Sequence, residues 1–269
     1  MIHTTFFTDV INLYLPEPHA SLLNGIIFGT KLRTSKDFIL EVKRVGLTHL
    51  VVLSGMNITI MCSVISLMTA KLSKRLAVVI TIISIVIFIG FVGVQAPAVR
   101  AAIMSILTLV AILYGRKTLA LYTLVVSGVI SLLLWPKWLT SISFHLSYAA
   151  TLGLILFARE IKTPDKSTRL TRILHYCKSE LATSLAAQAF TVPLIFIYFK
   201  QISVIAPLSN LAVSWVVTPV MIFGFLTAVL GKLNFYLGLV PSYICYVLLS
   251  YMIYIIHWMA QLPYIFFSF

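Results

Sequence analysis

The sequence predicts an all-α polytopic membrane protein with about eight transmembrane segments, N-terminal amphipathic interfacial helices and at least one broken or re-entrant segment. Composition is the first observation behind this prediction: 60% of the 269 residues are hydrophobic and 10% are charged. Soluble domains have about 45–50% apolar and about 25% charged residues. The second observation is that apolar residues form continuous runs, whereas a membrane β-barrel alternates apolar and polar positions. A soluble domain, a disordered chain and a disulfide scaffold are therefore excluded.

Residues 1–49 are predicted to be an amphipathic, interfacial segment. In its second half, apolar side chains recur at helical spacing with charges on the opposite face, which is typical of a helix lying in the membrane surface. Thr34 and Asp37 fit the start of this helix as a capping box, and Gly46 fits its end. The short apolar piece at 25–29 is interpreted as re-entrant or interfacial and packed against the bundle.

Residues 50–269 are predicted to form the transmembrane domain. A span needs about 20 mainly apolar residues, with about 17 as the short limit. Apolar windows of this kind occur at 50–70, 76–95, 98–114, 119–135, 141–158, 181–199, 207–230 and 243–262. The second and third windows have almost no loop between them, so they predict either a tight helical hairpin or two broken segments. The seventh contains Pro207, Asn210, Ser214 and Pro219, a pattern typical of a discontinuous helix.

The chain is basic, with 20 Lys and Arg against 7 Asp and Glu. The ordinary explanation is that cytoplasmic loops collect Lys and Arg. The second is a polyanion partner, either nucleic acid or anionic lipid, and both can hold together. The loops on one side of the membrane contain more Lys and Arg than those on the other side, and this side is predicted to be cytoplasmic. These loops are 71–75, 115–118, 159–180 and 231–240. Both termini then lie outside, unless the seventh segment is re-entrant, in which case the C-terminus lies inside.

Polar residues inside apolar windows are costly and therefore informative. Four windows carry them at three- and four-residue spacing, which places each set on one helix face. Dry hydrogen bonds between helices explain any single face, but four together favour a shared polar interior. Arg100 either extends to the membrane surface or contacts a phosphate-bearing substrate. The candidate lining residues are Ser54, Asn57, Gln95, Arg100, His145, Tyr148, Gln188 and Asn210.

Motifs for enzyme chemistry are missing from the sequence: there is no Walker A, HExxH, GxSxG or carboxylate pair. We therefore expect no enzyme activity and no cofactor. Cys62, Cys177 and Cys245 are isolated in sequence, without a CxxC pair, so we also expect no metal site.

Five short motifs in order along the chain resemble a known family. They are LPEPHASLLNG at 15–25, GLTHLVVLSGMN at 46–57, QAPAVRA at 95–101, FHLSYAATLG at 144–153 and PLSNLAV at 207–213. Each is weak alone, but together they resemble the membrane-embedded competence domain of the ComEC/Rec2 family of DNA-uptake proteins. The sequence departs from the family at Asn57, where relatives usually have a histidine, so a role assigned to that histidine does not transfer.

The resemblance implies a channel in the bacterial cytoplasmic (inner) membrane that carries one strand of transforming DNA into the cytoplasm. It implies single-stranded DNA and the lipid bilayer as partners. Full-length relatives add an extracytoplasmic OB-fold domain and a metallo-β-lactamase-like domain, which this sequence lacks. Either the chain is a fragment of a longer protein or partners supply those parts. The expected partners are a cytoplasmic helicase-like motor and a separately supplied extracytoplasmic DNA-binding or nuclease component, and a homo-oligomer stays open. The alternatives are a small-solute transporter and a non-transporting scaffold remnant of the family.

Overall fold

The computed structural model describes residues 2–51, 55–158, 169–263 and 266–268, and these residues are mostly helical. The α-helices are α1 Ile2–Tyr14, α2 His19–Phe28, α3 Lys36–Arg44, α4 Thr48–Val51, α5 Gly55–Met68, α6 Lys74–Val92, α7 Ala96–Leu113, α8 Ala120–Leu134, α9 Ile142–Phe157, α10 Arg169–Phe199, α11 Ala206–Leu233 and α12 Phe235–Ala260. A 3₁₀ helix covers Pro136–Thr140. Strand β1, Gln201–Ser203, pairs antiparallel with β2, Phe266–Ser268.

Each of the eight apolar windows contains a helix, but the helices differ in length. Five are long and apolar enough to cross a membrane: α6, α7, α11, α12 and the Leu174–Phe199 part of α10. Helices α5, α8 and α9 have 14, 15 and 16 residues. At about 1.5 Å per residue they are shorter than a hydrocarbon core of about 30 Å. The chain is therefore a helical membrane protein, and eight full spans are not confirmed.

The predicted break in the seventh window is wrong, because α11 is one continuous helix of 28 residues. Pro207 lies in its first turn, where a backbone N–H has no helical partner to lose. Pro219 lies inside the helix, where neighbouring helices can satisfy the backbone groups that it frees. The second and third windows form a hairpin, since only residues 93–95 separate α6 from α7.

Helix α2 is enclosed by the rest of the bundle. All its residues except His19 are buried, and Leu22 and Leu23 have no exposed surface. The same apolar core includes side chains from α1, α11 and α12. The predicted packing of the 25–29 piece against the bundle is therefore confirmed, and α2 lies within the core.

Helix α3 has the predicted amphipathic character, with Phe38 and Val42 buried. Its N-cap is Ser35, whose hydroxyl accepts a hydrogen bond from the backbone N–H of Phe38 at 3.3 Å. The predicted start at Thr34 is therefore one residue early. Gly46 ends the segment in the left-handed region, at φ +76°, as its position predicts.

Candidate functional site

The turn after α3 packs against the first turn of α11. The Ser209 hydroxyl donates to the Val45 carbonyl at 2.6 Å, and both residues are buried. A Cβ at Gly46 would lie 2.5 Å from the Ala206 Cβ, and the positive φ of Gly46 also disfavours any side chain there. The start of the motif at 46–57 therefore lies against the start of α11, where the motif at 207–213 begins.

The same motif contacts Arg100 through Gly55. A Cβ at Gly55 would lie 2.6 Å from Nη2 of Arg100 and 3.1 Å from the Ala101 Cβ. The missing side chain thus leaves room for the guanidinium group. Nη1 of Arg100 donates to the Ser147 carbonyl at 2.6 Å. Three motifs, on α5, α7 and α9, therefore meet at one guanidinium group.

Tyr148, next to Ser147, points from α9 towards α8. Its hydroxyl oxygen lies 3.2 Å from Ser127 Oγ and 3.4 Å from Ser131 Oγ, and both serines have no exposed surface. Gly128 lies between the two serines in the sequence. A Cβ at Gly128 would be 3.3 Å from the Tyr148 ring, so the absence of a side chain makes room for the ring. This polar group therefore belongs to a hydrogen-bonded contact between helices.

Arg100 has fewer partners than a guanidinium group can bind. Its Nε is buried and has no hydrogen-bond partner. No carboxylate of the described residues lies within 4 Å of it, since the ion pair found among them joins His257 and Glu41. The sequence has no Asp or Glu between 42 and 159. Arg100 is half-buried, and a cation partly removed from water without a counter-charge is costly, so Arg100 is the group in this site best suited to receive an anion.

A second set of polar contacts joins α4, α10 and α11. Asn210 Nδ2 donates to Ser184 Oγ at 3.4 Å, and Gln188 Nε2 donates to the same oxygen at 3.3 Å. The His49 side chain hydrogen-bonds Asn210, and its Nδ1 lies 3.0 Å from the Gly46 carbonyl oxygen. The motif at 46–57 therefore contacts Asn210 near its beginning and Arg100 near its end.

These contacts define the motif cluster: Gly46, His49, Gly55, Arg100, Ser147, Tyr148 and Asn210. Gly46 and His49 lie before α5, and the other five lie at the start of α5 and in the first halves of α7, α9 and α11. The contacts of Arg100 bring the starts of α5, α7 and α9 together, and the His49–Asn210 contact brings the start of α11 beside the same motif. The four helices therefore begin at the same end of the bundle. Four of the five sequence motifs therefore converge there.

The other candidate residues lie around this cluster or outside the described residues. His145 Nδ1 is 2.9 Å from the hydroxyl oxygen of Tyr198, which joins α9 to α10. Gln95 is the N-cap residue of α7, and its side chain makes no cap hydrogen bond. Asn57 is buried, and its amide donates to the Ile26 carbonyl at 2.6 Å, so this group stabilises α2 against α5. Ser54 lies outside the described residues.

Sequence reasoning missed Ser127 and Ser131, and it had Ser184 only as a member of a polar helix face and Gly55 only as a member of a motif. The pair Ser127 and Ser131 has the four-residue spacing of one helix face, which is a usable signal. Gly55 carries no such signal, because its role depends on a guanidinium group from another helix.

A family model described as Competence protein matches residues 26–269 of this chain. The chain belongs to the competence protein family. It is 23% identical over 211 residues to ComE operon protein 3 of Bacillus subtilis (strain 168). That alignment covers 78% of this chain and 26% of the relative, so the chain spans about a quarter of the relative's length. No solved structure matches the chain. The family resemblance predicted from the motifs is confirmed.

Proposed function

We propose that this competence protein forms the membrane-embedded conduit through which single-stranded transforming DNA enters the cytoplasm. The observation that carries the proposal is the meeting of three family motifs at Arg100, a half-buried guanidinium group without a carboxylate partner among the described residues. A phosphodiester supplies the missing negative charge. The bacterial inner membrane is the proposed location, since the strand must cross the last barrier before the cytoplasm.

The chemistry around Arg100 suits a conduit better than a tight binding site. Arg100 bonds a backbone carbonyl, and the polar groups in the neighbouring contacts, Tyr148 and Asn210 among them, are uncharged. A path for a polyanion must bind strongly enough to admit the strand and weakly enough to release it. Tyr148 is the aromatic candidate for base stacking; in this structure its ring packs beside Phe144, with ring centroids 4.3 Å apart, and its hydroxyl contacts α8.

Movement of the strand needs an energy source, and the sequence has no NTPase motif. We therefore propose a cytoplasmic helicase-like motor as a partner. An extracytoplasmic DNA-binding or nuclease component would present the strand. The conduit is built either by one chain or by a homo-oligomer.

The test is uptake of labelled DNA into a DNase-protected cytoplasmic pool. A clean deletion should lose this pool while DNA bound at the cell surface persists. Arg100→Ala should lower the pool at unchanged membrane abundance, because the cation at the motif cluster is gone. Arg100→Lys should retain part of the activity, since it keeps the charge but not the planar fork.

Lys137→Ala is the matched control, because it removes an exposed cation from the 3₁₀ helix and leaves the motif cluster intact. It should take up DNA normally. An unchanged protected pool in the deletion strain would contradict the proposal that this chain is the conduit. The scaffold and solute-transporter alternatives would then be favoured. Normal uptake by Arg100→Ala alone would reject the role of Arg100.

A further inference from the structure

A groove of about 750 Å³ lies between α5, α6 and α7. Its walls combine hydroxyl and apolar side chains. Among the lining residues are Thr59, Ser63, Leu67, Lys74, Thr81 and Thr108. Ser63 and Leu67 are exposed while Thr81 is buried. The groove is therefore open on one side and reaches into the helix packing on the other.

Most of the hydroxyl groups that line the groove donate to backbone carbonyls of their own helices. Ser63 donates to the Thr59 carbonyl at 3.0 Å, Thr81 to the Ala77 carbonyl at 2.8 Å and Thr108 to the Met104 carbonyl at 2.8 Å. Each of these bonds stays within one helix. The walls thus present oxygen lone pairs and methyl groups, which do not attract phosphate oxygens. A hydrocarbon chain suits this interior better than a phosphate group does.

One end of the groove is basic and meets exposed apolar surface. Lys74 lines the groove, and Lys71 and Arg75 flank it at exposed positions. Leu67 and Met68, at the end of α5, are 78% and 80% exposed. Large exposed apolar side chains beside a row of cations are typical of the boundary between hydrocarbon and lipid headgroups. The sequence from 42 to 159 has no acid to neutralise these cations.

We propose that this groove binds an anionic phospholipid of the bilayer, with an acyl chain along α5–α7 and its phosphate beside Lys71, Lys74 and Arg75. The three cations favour a negatively charged headgroup. The apolar side chains, and the hydroxyl groups already bonded within their own helices, favour the acyl chain of the lipid. Basic pockets between transmembrane helices are known lipid headgroup sites. This site lies apart from the motif cluster and needs no DNA, so it goes beyond the proposed function.

The experiment measures the thermal unfolding midpoint of the full chain, purified in mild detergent, with added lipid. Phosphatidylglycerol should raise the midpoint by clearly more than phosphatidylcholine, which lacks the net negative charge. Glycerol phosphate should leave the midpoint unchanged, because it has the anionic headgroup but no chain. A short single-stranded oligonucleotide should not displace phosphatidylglycerol.

Two variants locate the effect. Replacing Lys71, Lys74 and Arg75 with Gln should weaken the apparent affinity for phosphatidylglycerol on the order of a hundredfold, the equivalent of about 1 kcal/mol for each cation. Ser63→Trp should also reduce binding, since the indole occupies the groove from an exposed position. The matched control replaces Lys31, Lys36 and Lys43, three exposed cations around α3, and should bind lipid normally.

Equal stabilisation by both lipids would overturn the proposal, as would unchanged affinity in the Lys71, Lys74 and Arg75 variant. Displacement by the oligonucleotide would assign the groove to nucleic acid instead. These readouts use purified protein, so their failure is distinguishable from failure of DNA uptake in cells.

Discussion

Substitution of Gly55 by Ala tests whether α5 and α7 meet as described. The added Cβ would lie 2.6 Å from Nη2 of Arg100, so the guanidinium group must move. That group is held by its bond to the Ser147 carbonyl, and a hydrogen bond to a charged group contributes about 1.5–3 kcal/mol. Ala gains at most about 1 kcal/mol over Gly in a helix. The net loss is therefore about 0.5–2 kcal/mol.

The sign of this effect should depend on Arg100. In an Arg100→Ala background the guanidinium group is absent, so Gly55→Ala should be neutral or slightly stabilising, with only the Ala101 Cβ contact at 3.1 Å remaining. The propensity gain of Ala cancels in a double-mutant cycle, which should therefore give a coupling free energy of about 1.5–3 kcal/mol. Denaturant-induced unfolding in mild detergent, followed by tryptophan fluorescence, measures all four proteins.

Additive effects in this cycle would refute the reasoning. If Gly55→Ala destabilises the chain equally with and without the guanidinium group, Gly55 faces something other than Arg100. The convergence of motifs at that point would then be wrong. Ala101→Gly is a useful companion, since it removes the second contact and leaves the first.

Two further substitutions test neighbouring contacts by the same unfolding assay. Asn57→Leu leaves the buried Ile26 carbonyl without its donor and should cost about 1–3 kcal/mol; an unaffected midpoint would mean that this bond does not form. Gly153→Ala places a Cβ against the Ala186 backbone carbonyl, so α9 and α10 must separate at a cost of about 1–3 kcal/mol. Gly90→Ala, where nothing lies within 4 Å, should lack this cost.

Apolar windows predict the helices well because burial in lipid requires internally bonded backbone, but they do not predict continuity. The proline and polar pattern at 207–219 resembled a broken helix. In the structure α12 packs along α11, and the Tyr251 hydroxyl donates to the Ala212 carbonyl at 3.0 Å. This contact joins α11 to a residue 39 positions away, so a local sequence pattern cannot reveal the packing that accompanies the continuous helix.

The candidate site was partly predictable for the same reason. Arg100 stands out because a cation inside an apolar window is costly. The threonines on the polar helix faces are less informative. Thr151 donates a hydrogen bond to the Ser147 carbonyl and Thr191 donates one to the Ala187 carbonyl, and each bond stays within one helix. Spacing alone cannot separate that arrangement from a face that lines a path. Asn57 illustrates a third case, in which a polar residue stabilises the packing of α2.

The enclosed position of α2 constrains the order in which this protein is assembled. His19 Nε2 lies 2.9 Å from the Ser250 hydroxyl oxygen, although the two residues are 231 positions apart. Leu23 and Ile27 pack where a Cβ at Gly224 would be, at 2.6 Å. Synthesis proceeds from the N-terminus, so α2 is made long before the helices that cover it. The N-terminal segment must therefore wait, uncovered, until α11 and α12 arrive, and its final burial is a late step in biogenesis.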